Sequence, residues 1–307
     1  MEEATRDRRR SGEVGGAEGS GIPAARVVFV VAGAILLIAM VAAQVASGLE
    51  PRPVRLTSVV VLLLAAAAVA FAAADHGLPR AATAFAATAA VGYAAEWIGI
   101  RTGVPFGEYR YTDVLWPRLG GVPLIVALAW GGMGLAAHAV ARAVAGPRTT
   151  PGAAFTSPGT KARAVAARPE AAPGQAARRF DSTLRRVVAG APALTAWDLF
   201  LDPQMIRLGL WTWADPGPYR GVPISNFAGW LVVSMLVMAL IDKVLTRPAR
   251  GPVPKGTGLV TIYTVMAVME TLGFAAVFDP PDLLVAAVGG TCMGVFVLLA
   301  WRRRWPR

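Results

Sequence analysis

The 307-residue chain is 55% hydrophobic with a mean hydropathy of +0.52, too apolar for a water-soluble domain, and its apolar residues come in runs long enough to cross a bilayer. The formal net charge of +11 does not argue for nucleic acid, because the basic residues stand between apolar runs, where the positive-inside rule already accounts for them. One cysteine, Cys292 inside an apolar run, excludes a disulfide framework and a cysteine-built metal site.

Residues 1–25, with Arg6, Arg8, Arg9 and Arg10 amid Glu, Gly and Ser, read as a disordered basic cytoplasmic tail. No small-residue cleavage site follows, so the segment is not read as a signal peptide. Apolar spans fall near 26–47, 56–74, 81–100 and 122–143, which places four membrane helices within 26–145. Residues 146–183 are rich in Ala, Pro, Gly, Thr and Arg without a periodic apolar face, and read as a flexible cytoplasmic linker. Four more spans, near 185–202, 226–246, 259–278 and 283–301, fill 184–301, and 302–307 form a basic cytoplasmic tail. Each span is about the ~20 residues that a helix needs to cross the hydrocarbon core. The expected fold is therefore all-α, a polytopic membrane protein with about eight transmembrane helices.

With the N-terminus inside, the inner segments collect 23 of the 30 Lys and Arg residues and the outer segments keep seven. This bias predicts a multi-pass protein of the cell membrane with both termini cytoplasmic. The loops 101–121 and 203–225 then face the outer side.

The centre of interest is Trp197 to Trp230. Shifting the chain by 100 residues lays Trp97 on Trp197, Thr112 on Thr212, Gly121-Val122-Pro123 on Gly221-Val222-Pro223, and Trp130 on Trp230, with Tyr111 on Trp211. The pattern predicts a degenerate parallel repeat in which helices three and four match helices five and six. Seven of nine tryptophans and four of five tyrosines lie between Tyr93 and Trp230. An aromatic belt at the membrane interface is the competing explanation, but the other helix ends are poor in rings.

Ionisable groups inside apolar spans are the sharpest signal, since each costs roughly 2.5–3.5 kcal/mol on insertion scales. They are Glu96, Asp198, Asp202 and Glu270. Asp198 and Asp202 are four apart and share a helical face. His76 and His138 are isolated and read as polar residues at helix ends. No GxSxG, P-loop, dinucleotide fingerprint or HExxH is present, and one DxxxD pair is weak support for magnesium. No metal or cofactor is expected. Buried carboxyls among π faces suit protonation of an alkene, in which an acid delivers the proton, rings stabilise the cation and a second carboxylate orients water. Asp198 is the expected donor, because it lies one turn deeper than Asp202. Asp202, before Pro203, is expected to orient water or cap the helix, and Glu96 to share the proton or favour the cation. The expected binding surface comprises Trp97, Tyr109, Tyr111, Trp197, Trp211, Trp213, Tyr219, Asn226, Trp230 and Glu270.

The segments EWIGIRTGVPFGEYRY (96–111), GVPLIVALAW (121–130), WDLFLDPQM (197–205) and WTWADPGPYRGVPISNFAGW (211–230) resemble the carotenoid biosynthesis membrane family. That family includes carotenoid 1,2-hydratases of the CruF type and bisanhydrobacterioruberin hydratases. The resemblance covers roughly 85–275 and leaves out the basic tail and the linker. It implies cofactor-free addition of water across the C1–C2 double bond of an acyclic (ψ) end group, such as that of lycopene or a bacterioruberin precursor. The product would be a tertiary alcohol open to later glycosylation. The implied partners are an acyclic carotenoid, the lipid bilayer and possible neighbouring pathway enzymes, with no nucleic acid. A transporter or ion pathway and a non-catalytic carotenoid-binding or assembly protein are the rival readings.

Overall fold

The structure is a computed structural model that describes residues 24–50, 54–146, 173–245 and 256–304. The predicted N-terminal tail up to residue 23, positions 147–172 of the predicted linker and the last three residues lie outside the described residues. Those residues hold eight helices: α1 (Ala24–Leu49), α2 (Val54–His76), α3 (Leu78–Thr102), α4 (Leu124–Ala145), α5 (Pro173–Arg207), α6 (Ile224–Leu245), α7 (Thr257–Leu272) and α8 (Leu283–Arg302). A π-helical turn, Gly273–Val277, continues α7. Helix α5 begins well before the predicted span, so the end of the predicted linker forms its first turns.

The chain is an all-α polytopic membrane protein. Six helices, α1, α2, α4, α6, α7 with its π-helical turn, and α8, are long and apolar enough to cross a membrane. Helices α3 and α5 fall short of that apolarity, since α3 holds Arg80, Glu96 and Arg101 and α5 holds Asp181, Arg185, Arg186, Asp198, Asp202 and Arg207. Helix α4 is the hub. Every residue from Ala129 to Ala141 is buried, as expected for a helix apolar all round, and α2, α3, α5, α6, α7 and α8 all pack on it. Helix α1 is peripheral: its buried residues are Gly33, Leu37 and Met40, one stripe at helical spacing.

The two loops that sequence reading left irregular contain short strands. β1 (Tyr109–Tyr111) from the first loop pairs antiparallel with β4 (Trp211–Trp213) from the second. β2 (Arg118–Leu119) pairs with β3 (Val122–Pro123) beside them. In the second loop, Gly217 and Gly221 bridge across a tight turn. A Cβ on Gly217 would lie 2.2 Å from the Val222 carbonyl oxygen, so only glycine fits there.

At the opposite end of the bundle, charged groups tie the helices together. Asp242 of α6 accepts from Arg186 of α5 at 2.5 and 2.9 Å and from Thr183 at 2.7 Å, and lies 3.2 Å from His138 of α4. Arg142 lies 3.2 Å from His76, and Arg26 3.7 Å from Asp75. A buried carboxylate needs such partners, and they hold the helices in register far from the aromatic end.

Candidate active site

The site is built where α3, α4, α5 and α6 meet under the β1–β4 pair. Helix α3 approaches α4 closely at Gly92, where a Cβ would stand 2.4 Å from Cγ of Trp130. Glu96 lies one turn further along the same face, and this close approach brings the Trp130 indole to it. Trp130 Nε1 donates to Glu96 Oε1 at 3.1 Å. The Tyr111 hydroxyl donates to Oε2 at 2.7 Å, and the Tyr109 hydroxyl donates to the same oxygen. Burial, and then the neighbouring Glu96 carboxylate, push both tyrosine hydroxyls well above the ordinary tyrosine range, so both remain O–H donors.

The second acidic group comes from α5. Asp198 and Asp202, one turn apart, both accept from the side-chain amide of Asn226 in the first turn of α6: Nδ2 lies 2.8 Å from Asp198 Oδ2 and also contacts Asp202 Oδ2. All three residues are buried. Asp198 Oδ1 and the indole N–H of Trp197 have no hydrogen-bond partner among the described residues. Pro203, inside the last turns of α5, has no N–H to give the Leu199 carbonyl. The Tyr219 hydroxyl donates to that carbonyl instead, at 3.0 Å.

The pocket holds about 350 Å³ of empty space including its mouth. Glu96 and Asp202 are its carboxyls. Trp130, Trp230, Tyr109, Tyr111, Trp211 and Trp213 supply its rings, and Asn226, Phe106, Val126, Ala129 and Leu201 complete it. The rings pack on one another: Trp130 stacks on Trp230 with centroids 4.0 Å apart and 15° between planes, and Tyr111 meets Trp211 edge-to-face at 5.5 Å. Trp213 Nε1 donates to the Phe106 carbonyl at 3.1 Å, fixing the strand pair over the pocket.

Eight of the thirteen residues expected from sequence thus line one pocket: Glu96, Asp202, Tyr109, Tyr111, Trp211, Trp213, Asn226 and Trp230. Asp198 stands behind Asp202, outside the lining. Trp197 is buried with its ring edge-to-face on Trp230. Trp97 is on the outside of α3, 41% exposed, with the Arg101 guanidinium over its ring. Tyr219 serves the Leu199 carbonyl, and Glu270 is buried on α7 away from the pocket. Sequence reasoning left five lining residues off the expected site, Trp130 and the apolar Phe106, Val126, Ala129 and Leu201, the last four without a chemical signature. Trp130 and Val126 had a pointer, since they lie 100 positions before Trp230 and Asn226.

The profile of a family described as carotenoid biosynthesis protein matches residues 57–297. A bisanhydrobacterioruberin hydratase of Haloarcula japonica is 29% identical over 223 residues, covering 70% of this chain and 62% of that protein. The match thus spans less than two thirds of the relative's length. No solved structure matches the chain.

Proposed function

The chain belongs to the carotenoid biosynthesis protein family, and on that premise we propose that it is a carotenoid hydratase adding water across the C1–C2 double bond of an acyclic end group. The observation that carries this reading is one pocket in which two buried carboxyls, Glu96 and Asp202, face a wall of indole and phenol rings. The relative named as a bisanhydrobacterioruberin hydratase supports the substrate class.

The mechanism proposed uses the chain's own side chains and one water. Two ionised carboxylates on the one amide of Asn226 would repel strongly in a dry setting, so the Asp198–Asp202 pair is taken to hold one proton. Asp202, at the pocket wall, gives that proton to C2 of the end group. The alkene π pair forms the new C–H bond and leaves a tertiary cation at C1. The stacked Trp130 and Trp230 rings and the Glu96 carboxylate face that cation. Water adds to C1 through an oxygen lone pair, and its released proton returns to Asp202. The net change is one water gained, and the pair ends as it began. Asp198 would keep the proton within the pair, sharing Asn226 with Asp202.

Positions 100 apart meet at the centre of the site, Trp130 with Trp230 and Tyr111 with Trp211. Residues touch their own equivalents only near a symmetry axis, which supports reading α3–α4 and α5–α6 as repeats about an approximate two-fold axis. Each unit contributes a different acid, so the reading implies one site per chain.

Expression in a lycopene-accumulating bacterium tests the function. Pigment heavier by the mass of one or two waters is expected. Unchanged pigment, with the protein present in the membrane, would refute hydration and favour the binding or transport readings.

A further inference from the structure

Away from the pocket, the buried polar groups that lack partners among the described residues include one on α7 and one on α1. Glu270, near the end of α7, is 8% exposed. Its carboxyl has no hydrogen-bond or ion-pair partner among the described residues, and no charged group stands close to it. One turn earlier on the same buried face, Met266 Sδ receives Gln44 Nε2 of α1 at 3.5 Å. Gln44 Oε1 is buried with no partner. Such groups in a membrane interior are costly unless something hydrogen-bonds them. The π-helical turn begins three residues after Glu270, and such widened turns recur at functional sites. Helix α1 is the peripheral helix, its flanks exposed, so this position lies within reach of molecules dissolved in lipid.

Resting on the hydratase reading, we propose that Glu270 and Gln44 form a second subsite between α7 and α1 that binds the hydroxyl of an already hydrated carotenoid end group. The alcohol donates to Gln44 Oε1, and its oxygen meets the carboxyl of Glu270. A hydrocarbon end offers neither interaction. The chemistry of the site therefore selects product over substrate, a holding position for the alcohol clear of the reacting pocket.

Equilibrium binding of two probes tests this, a mono-hydroxylated acyclic carotenoid and the parent hydrocarbon, each added to full-length protein in lipid nanodiscs. Tryptophan quenching reads the affinity. The wild type is expected to favour the alcohol by about tenfold, the effect of about one good hydrogen bond. Glu270→Leu and Gln44→Leu should abolish that preference without weakening hydrocarbon binding, while Glu270→Gln, which keeps a donor and an acceptor, should retain most of it. Equal binding of the two probes by the wild type, as when water alone fills the subsite, overturns the proposal. So does an equal loss of both probes in the leucine variants. The same comparison in an Asp202→Asn background separates the two ideas: a preference that persists there supports the subsite whether or not the pocket hydrates.

Discussion

At the residue scale the question is which carboxyl touches the substrate. Depth along α5 pointed to Asp198, but the pocket reaches Asp202, and Asp198 is behind it, joined through Asn226. A proton must move between touching atoms, so we propose that wall position outweighs depth. Asp202→Asn is expected to lower turnover by roughly 10²–10⁴, the range for a lost general acid, with the protein still folded. Asp198→Asn should cost less turnover, since Asp202 keeps its carboxyl and its place. Turnover measured in isolated membranes against quantified protein checks both, and the reverse order would return the donor role to Asp198. Glu96 differs in kind, with three donors on its two oxygens. Those bonds fix the carboxyl and hold the Tyr109, Tyr111 and Trp130 rings in place.

At the scale of elements, two local features set the pocket's shape. Helix α5 contains Pro203, and the carbonyl it orphans at Leu199 is taken by Tyr219. Tyr219→Phe removes that donor, so a loss of about 1–3 kcal/mol in stability is expected, the cost of one unsatisfied buried group. Turnover per folded molecule should hold, which thermal unfolding together with activity would show. A collapse of turnover at full stability would make Tyr219 a substrate contact instead. The second feature is Gly92, whose missing side chain lets Trp130 lie against α3. Gly92→Ala forces the indole away from Glu96. A loss of about 1–3 kcal/mol and reduced turnover are expected together. Unchanged activity would show that the Trp130–Glu96 bond is dispensable.

For the whole molecule, the pocket and the charged network lie at opposite ends of the bundle. The network gathers Arg26, Arg142 and Arg186, and from the Lys and Arg bias we propose that this end is cytoplasmic. On that proposal the pocket would open toward the outer side. Reporter fusions after Pro105 and Gly217 are expected to read outside, and one after Gly152 inside. An inside reading at Pro105 and Gly217 would invert the molecule and put the product on the side of cytosolic sugar donors. Helices α3 and α5 run beside α4 and α6, and the same fusions test whether α4 and α5 cross.

Hydropathy by itself determined the helical membrane fold, because water and lipid sort apolar runs without regard to tertiary detail. The 100-residue offset and the scarcity of acids in apolar spans singled out Glu96, Asp198 and Asp202, because a charge there needs a reason. Neither could say which acid faces a cavity. The β1–β4 pair joins segments about a hundred residues apart, and no local signal records a pairing at that distance. It alone brings Tyr109 and Tyr111 to Glu96. Trp97 and Trp197 show the limit most clearly. They stand 100 positions apart, yet Trp97 lies on the outside of α3 and Trp197 is buried against Trp230. Spacing fixes which residues share a face of one helix, but the neighbouring helices decide whether that face meets lipid, core or pocket.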